Sequence, residues 1–101
     1  MQQKFIITND GHLRLGRVNM HKDLLKEGDV CIGGGYYEID YTQNRLILSR
    51  ESYDFGRPRW DLLHGRLKMP KAYEGMGISY RPDARHAEEM DIGEEAGIEW
   101  E

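Results

Sequence analysis

The segment from residue 36 to residue 49 most constrains the fold, because it has the pattern of two strands joined by a polar turn. Side chains in residues 36–41 alternate strictly between two faces, as in a half-buried strand. One face carries Tyr37, Ile39 and Tyr41, and the other carries Tyr36, Glu38 and Asp40. Thr42-Gln43-Asn44 supplies turn-forming residues, and residues 45–49 return as a second strand. The pattern predicts an antiparallel β-hairpin.

Another hairpin is predicted at the start of the chain. Residues 4–8 and 12–18 are short apolar segments of strand type, and Asn9-Asp10-Gly11 between them tolerates the positive φ of a tight turn. Asn19 then stands where it can cap a short helix running to Lys26, with Gly28 as its terminator.

Weaker patterns follow residue 50. Pro58 predicts one or two helical turns ending at Gly65, and residues 66–69 and 77–80 are predicted strands. These elements together predict an α+β, mostly β, fold: a meandering antiparallel sheet of about four to six strands with one or two short helices. The predicted organisation is a single domain over residues 1–85, followed by an acidic, flexible C-terminal tail over residues 86–101.

Length and composition exclude several classes of protein. The chain has 101 residues, of which 39% are hydrophobic and 32% charged, and its mean hydropathy is -0.76. No stretch approaches the roughly 20 apolar residues of a membrane helix, and no secretory signal is recognisable. The single cysteine, Cys31, cannot form an internal disulfide. These features predict a protein of a reducing compartment, the cytoplasm, with no membrane partner.

Charge is distributed unevenly along the chain. Residues 86–101 hold 7 of the 18 acidic residues and neither Lys nor Arg. The preceding residues hold all 14 basic groups and 11 acidic ones, a net charge of +3. The formal net charge of -4 therefore combines a mildly basic body with an acidic tail.

A run of three glycines, Gly33, Gly34 and Gly35, is a possible ligand loop, because glycine lets backbone N–H groups approach a phosphate. The run lacks the Lys-Ser or Lys-Thr of a nucleotide-binding loop, and a strand rather than a helix follows it. The favoured interpretation is a bulge, a bend or room for an aromatic ring of a neighbouring strand.

Catalytic and metal-binding motifs are absent from the sequence. Cys31 lies between Val30 and Ile32 in a run that is typical of a buried strand, and none of the four histidines has a diagnostic spacing to it. No pairing of Cys and His has the spacing of a metal site. No metal, no cofactor and no catalytic residue is predicted. An enzyme is the third hypothesis: a small hydrolase or transferase whose fold would bring together two or more of His12, His21, Cys31, Glu38, Asp40 and Asp54 in one pocket.

Aromatic and basic residues are interleaved in residues 50–71. The binding candidates are Tyr53, Asp54, Phe55, Arg57, Arg59 and Trp60. The favoured interpretation of Phe55 and Trp60 is that their rings close one end of a small core, whereas the arginines are left open between solvation and binding. Tyr, Trp and Arg are the residues enriched in protein–protein hot spots, so the leading hypothesis is a small binding or regulatory module with another protein as partner. The alternative is a nucleic-acid-associated protein that uses the same segment, with the acidic tail as a competing, autoinhibitory ligand. A homo-oligomer is also compatible with the sequence, in which a second copy of the chain is the partner.

Overall fold

A computed structural model of the protein describes residues 1–60, 63, 67–82, 90–92 and 98–101. Eight strands lie in these ranges: β1 Gln2–Thr8, β2 Leu13–Val18, β3 Cys31–Asp40, β4 Arg45–Ser49, β5 Lys68–Met69, β6 Gly77–Arg81, β7 Met90–Asp91 and β8 Glu99–Trp100. Six of them form one sheet in the order β2-β1-β3-β4-β6-β7, and β5 pairs with β8 in a two-stranded sheet. The mostly β prediction is confirmed.

Both predicted hairpins are present. β1 and β2 are antiparallel with Phe5 opposite Leu15, and β3 and β4 are antiparallel with Asp40 opposite Arg45. β1 also pairs with β3, which places β1 in the interior of the sheet. The glycine run, which was predicted to precede the strand of residues 36–41, lies within β3, which is continuous from Cys31 to Asp40.

The sheet is mixed, which corrects the prediction of an antiparallel meander. β4 and β6 run parallel, with Leu46 opposite Ile78 and Leu48 opposite Tyr80. Parallel neighbours require a connection that carries the chain back to the starting end of the sheet. Residues 50–76 provide that connection, which we call the crossover. Its second half contributes β5, which lies next to the first hairpin through the bridge between His12 and Lys68.

The prediction of a helix from Asn19 to Lys26 is wrong. A single 3-10 turn, His21–Leu24, occupies this segment, and Leu25 after it is already extended. A helix of eight residues is marginal by itself, so tertiary contacts decide the local conformation. Here the Arg14 guanidinium donates a hydrogen bond to the carbonyl oxygen of Leu24 at 3.4 Å, which holds the end of the turn.

Two 3-10 turns, His21–Leu24 and Lys71–Tyr73, are the complete helical segments within the described ranges. The helical turns predicted between Pro58 and Gly65 lie largely outside those ranges.

The core lies on one face of the large sheet. Its sheet side chains come from β1, β2, β3, β4 and β6: Phe5, Ile7, Leu13, Tyr37, Leu46, Leu48, Ile78 and Tyr80. The crossover and the C-terminal segment cover them with Leu63, Leu67, Met69 and Ile92. Removal of these side chains from water is the main favourable contribution to folding.

The opposite face of the sheet is covered over part of its width. The segment between β2 and β3 places His21 over Gly34 and Leu24 over Gly16. Beyond this cover, Tyr36 and Ile47 are half-buried and Glu38 is exposed. This uncovered half of the face, together with the loops at its edge, is where the candidate sites lie.

The described residues of the acidic segment pair with the rest of the molecule. Tyr80 of β6 lies opposite Met90 of β7, and Met69 of β5 lies opposite Trp100 of β8. The predicted domain boundary at residue 85 falls outside the described ranges, so it stays a prediction, as does the flexibility of the tail. Among the described residues, no helix is long and apolar enough to cross a membrane.

Candidate functional site

The glycine run and the loop after β4 contact each other directly. The N–H of Ser52 donates to the carbonyl of Gly34 at 2.9 Å, and the N–H of Gly34 donates to the carbonyl of Gly56 at 3.2 Å. A Cβ atom on Gly33 would lie 2.5 Å from the Cα atom of Pro58. The two backbones are therefore packed at a distance that only glycine permits, and no room for a ligand separates them there.

Gly35 provides space for an aromatic ring, as the sequence suggested for the run. A Cβ atom at this position would lie 2.8 Å from Cε1 of Phe5 and 2.4 Å from the carbonyl oxygen of Ser49. The ring of Phe5 thus occupies the volume that a side chain at Gly35 would need.

Residues 52–56 form a closed turn with its own hydrogen bonds. The N–H of Gly56 donates to the carbonyl of Ser52 at 2.9 Å, and the N–H of Phe55 donates to Oγ of Ser52 at 3.2 Å. Ser52 is 2% exposed, whereas Tyr53 at the tip of the turn is 100% exposed. The turn therefore presents Tyr53 to solvent from a base that is fixed to the sheet.

The six predicted binding residues fall into two groups. Trp60 packs into the core, with its ring 6.4 Å from that of Phe5 and 5.3 Å from that of Tyr80, and Phe55 is half-buried. The other four are exposed: Tyr53, Asp54, Arg57 and Arg59. A surface formed by one tyrosine, two arginines and one carboxylate can take part in stacking, hydrogen bonding and charge pairing.

The indole nitrogen of Trp60, Nε1, is a buried polar atom without a hydrogen-bond partner among the described residues. An unpartnered buried N–H costs stability, so Trp60 contributes through ring packing and not through its polar end.

Tyr36 and Arg50 form a stack on the uncovered face, which the sequence did not indicate. The guanidinium carbon of Arg50 lies 4.2 Å from the centre of the Tyr36 ring. The imidazole of His21 packs against the same ring at nearly a right angle, with 5.3 Å between the ring centres. These residues are distant in sequence, and only the register of β3 with β4 reveals that Tyr36 lies opposite Ser49, next to Arg50.

His21 has a structural role at the base of this stack. Its side chain is 4% exposed, and Nε2 lies 2.7 Å from the carbonyl oxygen of Gly35. A carbonyl only accepts hydrogen bonds, so Nε2 carries the proton and donates it. Burial lowers the pKa of His21, with Lys4 contributing in the same direction, so the imidazole is neutral at pH 7.

Cys31 has no nucleophilic environment. Its thiol is half-buried and contacts the carbonyl oxygen of Gly33 at 3.2 Å. Burial raises the pKa of this thiol, which disfavours the reactive thiolate.

Among the described residues, each of two cavities is lined by one of the groups named for an enzymatic site. A groove of about 740 Å³ beside β2 is lined by His12, and a cavity of about 240 Å³ near the other end of that strand is lined by Glu38. Asp54 lies close enough to His21 to favour the charged imidazole, but burial has the larger effect and lowers the pKa of His21. Asp40 accepts hydrogen bonds from the N–H groups of Thr42 and Gln43 and so stabilises the β3–β4 turn. His64 and His86 lie outside the described ranges, and no group of three potential metal ligands occurs within them.

His12 and Arg14 take part in ion pairs at the edge of the groove. Nδ1 of His12 lies 3.0 Å from a carboxylate oxygen of Glu101, and Nε2 lies 3.3 Å from Asp10. Arg14 pairs with Asp29, which raises the pKa of the arginine and lowers that of the carboxyl group. The contact of His12 with Glu101 joins the start of β2 to the C-terminal segment, and the ion pair of Arg14 with Asp29 joins β2 to the segment before β3.

No protein-family model, no curated protein and no solved structure gives a significant match to this chain.

Proposed function

We propose that this protein is a small binding module that acts through contacts with another protein, made by the loop from Tyr53 to Arg59. The observation that supports the proposal most directly is the exposure of Tyr53. It is 100% exposed, more than any other large hydrophobic residue described, and it lies on a turn whose backbone is hydrogen-bonded to Gly34. A rigid loop loses little conformational entropy on binding, and Tyr and Arg are the residues that most often dominate protein interfaces.

The free thiol of Cys31 suits a reducing compartment, and we propose the cytoplasm as the location. The partner would carry an apolar pocket for the tyrosine ring and acidic groups for Arg57, which is exposed next to it.

The proposal is tested by affinity capture from an extract of the native cell with three forms of the protein. The wild type and a Tyr41→Ala variant should retain the same partner, whereas Tyr53→Ala should lose it. Tyr41 is a matched control because it is also exposed, at 80%, and lies roughly 23 Å from Gly34 along β3. Loss of a hot-spot tyrosine costs about 2 kcal/mol or more of binding free energy.

Equal capture by all three forms, or no partner with any of them, would contradict the proposal. Tyr53→Ala should leave the stability of the fold within about 0.5 kcal/mol of wild type, since an exposed side chain without packing contacts contributes little. A loss of capture is then a loss of binding and not of folding.

A second candidate function is association with single-stranded nucleic acid, controlled by the acidic segment. The observation that favours it is the parallel pairing of β8 with β5, in which Glu99 lies opposite Lys68. A carboxylate in this position would compete with phosphates for that lysine.

This candidate predicts that Glu99→Gln raises the affinity for single-stranded RNA or DNA at low salt, and that added salt weakens the binding steeply. Glu27→Gln is the matched control, since it removes the same charge from an exposed residue outside the crossover. Absence of binding at low salt in both variants would exclude the nucleic-acid function.

A further inference from the structure

The groove of about 740 Å³ follows the outer edge of β2, which is an end strand of the large sheet. Residues 12–15 of that strand form its floor. One wall is residues 23–26, on the face of the sheet where Leu24 lies over Gly16, and the other is residues 70–72 of the crossover, which covers the core face. Because the walls stand on opposite faces of the sheet, the space between them has the shape of a strand placed beside β2.

The backbone groups of β2 point alternately toward β1 and toward the outer edge. At the end of the first hairpin, the N–H of Thr8 donates to the carbonyl of His12 at 3.0 Å. Every second residue of an antiparallel pair exchanges hydrogen bonds with the residue opposite, so Arg14, two positions on, bonds to β1. Leu15 and Arg17 therefore direct their N–H and carbonyl groups outward, and no strand in the described part of the chain pairs with them.

The start of this edge already accepts a strand. Lys68 of β5 forms a parallel bridge with His12, and its N–H donates to the carbonyl of Gly11 at 2.8 Å. The chain leaves the edge at Pro70, which has no N–H to donate and precedes the 3-10 turn Lys71–Tyr73. A strand placed further along β2 would thus continue a pairing that β5 begins.

We propose that this groove binds an extended, uncharged, apolar segment of a partner protein, which adds to β2 as a further strand. Hydrogen bonds to the β2 backbone supply affinity, and the two walls receive alternate side chains of the segment. Leu24 and Leu25, both half-buried, line one wall, and Pro70 and Ala72 line the other. Both walls therefore offer apolar contacts to the segment.

The charges around the groove favour a neutral segment. Arg14 pairs with Asp29 and is neutralised. With histidine counted as neutral, the other lining charges are two cations and two carboxylates: Lys26, Lys71, Asp23 and Glu101. A segment with a net charge of either sign would lose hydration in the groove and meet no surplus of the opposite charge.

The walls also decide between a partner segment and a second copy of this chain. The β2 strand of a second copy lies between its own pair of walls, so two such edges would meet wall to wall. Their backbones would not reach the separation of about 4.8 Å that paired strands need. A segment without flanking layers can enter the groove, and a terminus or an extended loop of a partner has this form.

Binding is measured by ¹H–¹⁵N NMR titration of the full chain with the uncharged peptide acetyl-Thr-Val-Leu-Val-Thr-amide. The N–H resonances of Leu15 and Arg17 should move downfield to saturation as these groups gain carbonyl partners, whereas that of Arg14 should move little. A matched depsipeptide keeps every side chain but has ester oxygens in place of the internal N–H groups. Its Kd should be about tenfold higher or more, because it cannot donate hydrogen bonds to β2.

Leu25→Ala should raise the Kd of the peptide about fivefold, because the peptide buries part of this leucine side chain. Val30→Ala is the matched control, since Val30 is an apolar residue, 55% exposed, that does not line the groove. Its Kd should equal that of wild type, and an equal loss in the two variants would overturn the proposal. Tyr53→Ala should also bind the peptide as wild type does, so failure here is separable from failure of the proposed contact through Tyr53.

Four other results would overturn the proposal. The first two are a titration without saturation and a depsipeptide that binds as well as the peptide. The third is tighter binding of an analogue with Glu or Lys in place of both Thr residues, which would show a charged occupant. The fourth is a dependence of the Leu15 and Arg17 N–H shifts on protein concentration without peptide, which would identify a second copy as the occupant.

Discussion

A methyl group on residue 35 would overlap with neighbouring atoms. Its nearest neighbours would be the carbonyl oxygens of Ser49 and Arg50 and the ring of Phe5, at 2.4, 3.0 and 2.8 Å. Backbone atoms in the middle of a sheet cannot move without breaking ladder hydrogen bonds. Glycine is therefore required at residue 35, because β1, β3 and the end of β4 approach one another closely there.

Gly35→Ala should destabilise the fold by about 2 kcal/mol or more, the cost of overpacking a rigid core. Gly16→Ala is the control: its Cβ would meet only the flexible end of Leu24, at 3.0 Å, and one methyl of Val18 at 3.9 Å. Urea denaturation of the two variants measures the difference. Equal midpoints for both would show that the contacts at Gly35 relax without cost.

His21 should make the stability of the domain depend on pH. Its pKa in the folded state lies below its ordinary value of 6.5, chiefly because of burial. The unfolded chain therefore binds more protons than the folded one as the pH falls below 6.5, and stability decreases in that direction. The carboxyl groups of Asp10 and Asp29, whose pKa values are lowered from 3.8, lose their contributions only in more acidic solution.

His21→Gln isolates this effect, since an amide can donate to the carbonyl of Gly35 but does not titrate. The unfolding free energy of wild type should fall more between pH 7 and pH 5 than that of the variant, as measured by urea denaturation at each pH. Parallel pH profiles would contradict the role of His21.

Elements that depend on residues close in sequence were predictable, whereas elements that depend on contacts between residues far apart in sequence were not. The β3–β4 hairpin follows from side-chain alternation and turn residues, which act within about ten neighbouring positions. The turn at His21–Leu24 depends on Arg14 and on Gly35, and neither is close in sequence. Helix propensity in residues 19–26 is weak by comparison with these contacts.

The same distinction applies to the candidate sites. The exposed residues Tyr53 and Arg57 were identified from composition alone, whereas the stack of Arg50 on Tyr36 depends on the register of β3 with β4. Trp60 was named with Tyr53 as a binding candidate, although the favoured interpretation of its ring was a place at the end of the core, and it does pack, partly buried, against the core.

β8 connects the acidic segment to the core. Glu99 and Glu101 donate backbone hydrogen bonds to Leu67 and Met69 at 2.8 and 2.9 Å, and the Trp100 side chain packs partly buried against the core. Trp100→Ala should cost about 2 kcal/mol of unfolding free energy, less than for a fully buried Trp. Glu99→Ala on the same strand should cost less than about 0.5 kcal/mol. Equal, small effects in urea denaturation would show that β8 does not support the core.

At the scale of the molecule, the strands differ in length and in the number of strands with which they pair. β1 is hydrogen-bonded on both sides, and Phe5, Ile6 and Ile7 are each 0% exposed. β5 and β7 are two residues long. Amide hydrogens of β1 should therefore exchange with solvent only through global unfolding, and those of β5 and β7 through local opening.

Hydrogen exchange followed by NMR checks this order. The free energies of exchange for β1 should equal the unfolding free energy from denaturation, and those for β5 and β7 should be lower by several kcal/mol. Exchange of β1 as fast as that of β5 would contradict the central position of this strand.

The parallel pairing of β4 with β6 has a consequence for the order of folding. Each hairpin joins residues close in sequence, so it can form on the microsecond timescale as soon as its own residues are present. β6 can take its place beside β4 only after the intervening residues 50–76 have closed a long loop, which is entropically costly until the contacts of Ile78 and Tyr80 repay it. During synthesis, the second hairpin therefore exposes Leu46 and Leu48 of β4 until β6 has left the ribosome and paired with β4. In this interval the nascent chain is open to aggregation or to chaperone binding.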